Sequence, residues 1–238
     1  MTGRYKALLA LLLLAGSCQL SAKTYILCVG IQNYPGTEND VFLCAKDAKT
    51  VRWLFQKNGN AESVLLTNSE ATRGNILTAF AALAAACGPD DALAIFYSGH
   101  GGPGVLDTYD HELDYRQLCD LFGKSRARYK FAFINACFSG TMRKEYNEGV
   151  MNQQEVMFFL SSRSGEPSQE IITMKNGVFT TYLLQGLRDS ADVNRDRVIT
   201  ARELFDYVSA AVASATQGRQ HPVMWGTFSN DMPIMVWK

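Results

Sequence analysis

No stretch of the 238 residues is dense in lysine or arginine, and no C-x-x-C pair occurs among the six cysteines. The 23 basic residues are balanced by 23 acidic ones, so the formal net charge is zero. Such a chain carries no electrostatic footprint for a polyanion, and nucleic acid is not an expected partner. The scattered cysteines argue against a disulfide framework. There is no G-x-S-x-G elbow, which removes the usual serine hydrolase arrangement. The glycine-rich GHGGPG at 99–104 lacks the G-K-[ST] ending of a phosphate loop. The three histidines, His100, His111 and His221, form no closed zinc pattern with Cys119. No internal repeat or low-complexity tract is present.

A composition of 47% hydrophobic and 19% charged residues suits one substantial domain or two small ones. The first residues, MTGRYK, carry Arg4 and Lys6, and the apolar run ALLALLLLAG follows at 7–16. This run is short for a membrane-spanning helix. A charged segment followed by a short apolar one predicts an export signal over 1–22 and a single domain over 23–238. Two processing routes fit. AGS before Cys18 resembles a relaxed bacterial lipobox, which would make Cys18 a lipidation site and supply a lipid anchor. Cleavage near Ser21–Ala22 would instead release a soluble protein. Either route predicts a bacterial protein outside the cytoplasm, in the periplasm, on the outer membrane or secreted. A buried amino-terminal helix is the third reading.

From Lys23 onward, apolar runs alternate with helical periodicity. Strands are predicted at 24–31, 63–67, 91–98, 129–134 and 156–162. Helices are predicted at 41–57, 72–86, 114–123, 177–188 and 200–215, with a small hairpin at 105–113 and a last strand near the carboxyl end. Alternating strands and helices predict a three-layer α/β/α domain around a mostly parallel sheet. Cys28, Cys44 and Cys87 lie in apolar stretches and are expected to pack as small hydrophobes. The polar segment 139–155 reads as an exposed loop, and its Arg143 and Lys144 are candidate points of self-cleavage.

The chemistry concentrates after the third and fourth strands. His100 follows one, in YSGHGG, and Cys137 follows the other, in NACFSG. Ligands of open α/β sheets bind beyond the carboxyl ends of strands. If these two strands are parallel neighbours, the thiol and the imidazole emerge on one edge. An adjacent imidazole favours the nucleophilic thiolate and can protonate a leaving amine. The surrounding glycines leave room for a substrate backbone. Amides near Gly101 and Cys137 could face a developing oxyanion.

YSGHGG at 97–102 and NACFSG at 135–140 resemble the two active-site motifs of the caspase-like cysteine peptidases, with the bacterial metacaspase-like group as the nearest match. FFLSSRSGEPSQE at 158–170 and GVFTTYLLQGLRDSADVNRDRVIT at 177–200 also resemble that group, so the likeness runs over about residues 24–228. The resemblance implies a Cys–His dyad that cleaves protein or peptide substrates, with His100 as acid/base and Cys137 as nucleophile. It also implies oxyanion-hole amides from Gly101 and Cys137. Metacaspases typically cleave after Arg or Lys, helped by an Asp two residues before the nucleophile. Asn135 occupies that position here and carries no charge. A desolvated cation needs a carboxylate, and Asp40 and Glu166 are the candidates. Ser161 and Ser162 are further pocket candidates.

DVNRDRVITARE at 192–203 sets Asp192, Asn194, Asp196, Val198, Thr200 and Glu203 at the ligand positions of a calcium loop. Arg197 stands where that loop needs glycine, and Thr200 also fits the N-cap of the next helix. Calcium bound here and an Asx-rich structural turn are therefore both open, and no cofactor is required by the dyad chemistry. Two other functions fit the motifs: a caspase-like binding or scaffold domain without proteolysis, and a thiol acyl- or transpeptidase.

Overall fold

The computed structural model describes residues 22–36, 38, 40–58, 60–137, 156–166 and 174–237. The nearly unbroken apolar run TYILCVG forms β1 (Thr24–Gly30), buried on both faces. Then follow α1 (Cys44–Lys57), β2 (Ala61–Thr67), α2 (Arg73–Ala86) and β3 (Ala92–Ser98). A small antiparallel sheet comes next, built from β4 (Gly101–Gly102), β5 (Val105–Asp107) and β6 (Glu112–Asp114). The chain continues through α3 (Tyr115–Lys124), β7 (Tyr129–Asn135), β8 (Val156–Leu160) and α4 (Val178–Gln185). It ends with β9 (Val198–Thr200), α5 (Ala201–Ala215), β10 (Val223–Thr227) and β11 (Pro233–Val236).

The main sheet has the order β10-β8-β7-β3-β1-β2. Its five neighbours from β8 to β2 are parallel, and only β10 runs antiparallel, against β8. Alternate residues feed two cores. On one face, Leu27, Val29, Ile95, Tyr97, Ala132 and Ile134 pack with residues of α2 and α3. On the other, Ile26, Cys28, Phe96, Phe131, Phe133 and Phe159 pack with residues of α1, α4 and α5. Each fully buried side chain of this size contributes roughly 1.5–3 kcal/mol relative to exposure. This is the three-layer α/β/α arrangement with a mostly parallel sheet that the alternating pattern predicts.

Several boundaries differ from the sequence-based expectation. α1 begins at Cys44 rather than Val41, because Leu43 takes the left-handed conformation (φ 69°) and starts the helix from a sharp turn. The helix expected through Arg188 ends at Gln185 and widens into a π turn over Gly186–Ser190. Gly186 packs closely there, where a Cβ would lie 2.8 Å from Leu204 Cδ1 of α5. The carboxyl end makes two strands: β10 closes the main sheet and β11 pairs with β9. Thr72, Asp114 and Thr200 cap their helices as expected, accepting from the amides of Asn75, Arg116 and Glu203.

One close approach positions the site. A Cβ on Gly30 would collide with the Cys44 carbonyl oxygen and lie 2.8 Å from Ala45 Cα, so α1 starts directly against the end of β1. Gly30→Ala is expected to destabilise the fold by about 2–3 kcal/mol, because the clash is with backbone. A urea midpoint unchanged from wild type would refute that close packing.

Candidate active site

β3 and β7 pair in parallel with Ser98 opposite Asn135, and the Gly99 amide continues the ladder to the Asn135 carbonyl at 3.2 Å. His100 and Cys137 each stand two residues beyond these paired positions, at the same carboxyl edge. Both are partly exposed. Gly101 closes the approach: a Cβ there would lie 3.1 Å from Ala136 Cβ and 3.5 Å from the Cys137 carbonyl oxygen. The absence of a side chain therefore lets the turn after β3 lie against the backbone that carries the thiol. The edge also contains the switch point of the sheet, where β1 leads outward to β2 on one side and pairs with β3 on the other. Tyr34, from the loop after β1, and His100 line a groove there with Asp107 and His111, about 480 Å³ in volume.

The five described cysteines are all free thiols. Cys28, Cys44, Cys87 and Cys119 are buried and Cys137 is not. Burial pushes the Cys28 thiol far up and the Cys87 thiol up to about 11, which disfavours their thiolates. This agrees with the packing role expected for Cys28, Cys44 and Cys87.

Below the edge lies a buried carboxylate that the sequence reading did not single out. Asp47, on α1, is 1% exposed. It accepts hydrogen bonds from Asn176 Nδ2 (2.7 Å), Thr180 Oγ1 (2.9 Å), the Gly177 amide (3.2 Å), Ser98 Oγ (3.2 Å) and Asn135 Nδ2 (3.3 Å). Burial raises its carboxyl above the ordinary value, and the bonds from Asn176, Thr180, Gly177 and Ser98 oppose that rise. All five partners donate, so this shell suits the anion. Gly177 also stands at the amino end of α4, where the helix dipole favours negative charge. A Cβ on Gly177 would lie 3.0 Å from Asn135 Nδ2 and 3.1 Å from Asp47 Oδ2. The clue was an acid on the apolar stripe of α1, three residues from Cys44 and four from Val51, where a charged side chain has no reason to sit without partners.

The other predicted residues fall in different surroundings. Asn135 Nδ2 reaches Asp47, Ser98 Oγ and Thr180 Oγ1 beneath the edge. Ser161 is fully buried and donates to the Ala136 carbonyl, supporting the residue beside Cys137 from behind, and Ser162 is equally buried. Exposed Asp40 accepts from the Tyr34 amide at 3.0 Å. Glu166 binds the amide and imidazole Nδ1 of His221 at 2.8 and 3.0 Å. Burial would raise its carboxyl, but those bonds and the Arg163 amide hold it below the ordinary value. Cys18, Arg143 and Lys144 lie outside the described residues.

The segment 192–203 is an Asx-rich turn. Asp192 accepts from the amides of Asp196 and Arg197, Asn194 from Asp196, and Asp196 from Val198. Glu203 caps Thr200 rather than turning toward the loop, and Arg197 takes φ 67° without the freedom of glycine. Among the described residues no three His, Cys, Asp or Glu side chains are grouped so as to hold a metal ion.

A parallel α/β sheet with a partly exposed thiol and an imidazole beyond adjoining strands defines the class of caspase-like folds. The caspase domain model matches residues 23–232, and the chain belongs to that family. It is 36% identical to Metacaspase-1 of Cryptococcus neoformans over 93 residues, which are 35% of this chain and 20% of that protein. It is 35% identical to Metacaspase-1A of Neurospora crassa over 103 residues, 40% of this chain and 22% of that one. The vacuolar-processing enzyme of Citrus sinensis is 27% identical over 158 residues, 58% of this chain and 30% of that one. The match thus spans only a fifth to a third of these relatives. A crystal structure of a Geobacter sulfurreducens protein superimposes with a TM-score of 0.66 at 18% identity, covering 91% of this chain and 100% of that one, which supports the fold.

Asp47→Ala should strand buried donors from α4, β3 and β7, at a cost of about 3 kcal/mol or more. Urea unfolding measures it, and a loss below about 1 kcal/mol would mean that the five bonds are not a structural tie.

Proposed function

We propose that the protein is a cysteine endopeptidase with His100 and Cys137 as its dyad. The observation that carries this reading is the β3–β7 register, which starts both residues from one edge. In the reaction, Cys137 Sγ bonds to the scissile carbonyl carbon. The oxyanion is met by amides of Gly101 and Cys137. Collapse breaks the C–N bond as the His100 imidazolium gives its proton to the leaving amine. Water then attacks the thioester, His100 takes the water's proton, and the thiolate leaves from the acyl carbon.

Cleavage after Arg or Lys is the specificity this site supports best. The charge is assigned to Asp47, acting through Asn135, whose amide touches it two residues before the nucleophile. Glu166 is engaged by His221 and Asp40 by the Tyr34 amide, which leaves Asp47 as the carboxylate in contact with Asn135. Export, directed by residues 1–22, is supported by the charged and apolar pattern of that segment. Self-cleavage in 139–155 is supported by Arg143 and Lys144.

Cys137→Ala and His100→Ala should each reduce peptide hydrolysis by at least about 10³-fold while leaving the circular dichroism spectrum unchanged. Wild-type hydrolysis by purified Cys137→Ala sinks the dyad. Cleavage of a diverse peptide library should fall after Arg and Lys. Asp47→Asn should lower that preference by at least about tenfold, because it removes the charge that acts through Asn135. A library preference for Asp, or indifference to the basic residues, would overturn the specificity. A folded wild type that neither cleaves peptides nor reacts with a thiol-directed peptide probe would instead indicate a binding domain.

A further inference from the structure

The loop after β1 reaches the His-bearing turn through the Tyr34 side chain. Tyr34 Oη accepts the His100 amide at 2.8 Å and lies 3.2 Å from the Asp107 carbonyl oxygen. Its ring centroid is 5.0 Å from that of the His100 imidazole, with the planes tilted by 45°. Beneath it, Tyr97 Oη lies 2.7 Å from the His100 carbonyl oxygen and 2.6 Å from that of Asp107. Each phenol has one proton and can accept as well as donate. Tyr97 donates its one proton between the carbonyl oxygens of His100 and Asp107, and Tyr34 donates to Asp107 O. Tyr34 then also receives the His100 N–H. The two phenols therefore hold His100 by its backbone amide and its carbonyl.

The fit around this clamp is close. A Cβ on Gly99 would lie 2.7 Å from both hydroxyls, so no other residue leaves the two phenols in place. Tyr34 is itself anchored, because its amide donates to Asp40, and the preceding amides of Gln32 and Asn33 donate to Asn68 Oδ1 at 3.0 and 3.2 Å. Burial pushes both phenols upward, so they stay protonated through the range in which an imidazole titrates.

We propose that Tyr34 is a positioning residue for His100, fixing the backbone of the general base through its hydroxyl and limiting the swing of the imidazole through its ring. It touches neither the thiol nor the scissile bond in this role. The inference rests on the reading of His100 as the acid/base. Displacing such a group by even 1 Å can cost about 10²-fold in rate. Other charged or titratable groups that share the groove with His100 are Asp107, Asp110, His111 and Glu112 from the β5–β6 hairpin. Burial raises the Asp107 carboxyl above its ordinary value, and the nearby His100 imidazole opposes that rise.

The test compares wild type, Tyr34→Phe, Tyr34→Ala, His100→Ala and Cys137→Ala. Phe205→Ala serves as a control for lost stability, since Phe205 packs on Phe159 in the opposite layer. Three quantities are measured: kcat and KM on an Arg-containing reporter peptide, the pH dependence of thiol alkylation by iodoacetamide, and the thermal midpoint. Tyr34→Phe keeps the ring and loses the acceptor. It should lower kcat about tenfold with KM within about twofold, and it should shift the alkylation profile by at least about half a pH unit. Tyr34→Ala should lower kcat about 10²-fold. Phe205→Ala should lose thermal stability without moving kcat or the profile. A Tyr34→Phe enzyme with wild-type kcat and profile, alongside inactive His100→Ala and Cys137→Ala, overturns the positioning role alone. A wild type without peptidase activity whose alkylation profile still moves in both His100→Ala and Tyr34→Phe overturns the peptidase reading and keeps the positioning role. A profile insensitive to His100→Ala overturns both.

Discussion

The register of two parallel strands governs the chemistry of this molecule. β3 and β7 are both buried on both faces, and their pairing sets Ser98 beside Asn135. A slip of one residue would turn alternate side chains from one core to the other, exchanging Ile95 and Ala132 for Phe96 and Phe133. The two cores therefore hold the register, and the register delivers His100 and Cys137 to a common edge. Glycines at 99 and 101 then allow the turn after β3 to fold close against the tyrosine hydroxyls on one side and residues 136–137 on the other. The apolar layers thus set the spacing of the polar groups at the edge.

Asp47 ties the same edge together from below. Its donors come from β3, β7 and the start of α4, and it rides on α1, whose first turn is pressed onto β1 by the Gly30 contact. An ionised carboxylate without such partners would be expensive at 1% exposure. With five donors it joins four elements of two layers. A single charge thereby ties the helix layer to the sheet, and it lies deeper than the exposed Asp40.

The layered fold was legible because runs such as TYILCVGI and YKFAFI can only be buried on both faces, while Val41–Lys57 repeats with helical spacing. The two motif residues were legible because each follows such a run. Asp47 was not, because one acid inside a helical pattern reads as a surface residue until its partners at 98, 135, 176, 177 and 180 are brought together by tertiary contacts. The partner of Glu166 was equally hidden: His221, fifty-five residues on, engages it through tertiary contact. Helix ends shifted where backbone conformation decided, at Leu43 and at the π turn after Gln185. The calcium pattern of 192–203 was read from spacing, and in the structure Asp192 and Asp196 accept from the loop's own amides.

The unequal exposure of the thiols has a practical consequence. In a chain beginning at Lys23, four sulfurs are sealed in the layers and one stands partly open to water. A small electrophile applied briefly to folded protein would therefore report its stoichiometry as a single mass increment per molecule. The same reagent after unfolding would add up to five. Unfolded molecules raise the first count toward the second, so a first count above one reports unfolded protein, and it does so before any substrate is known.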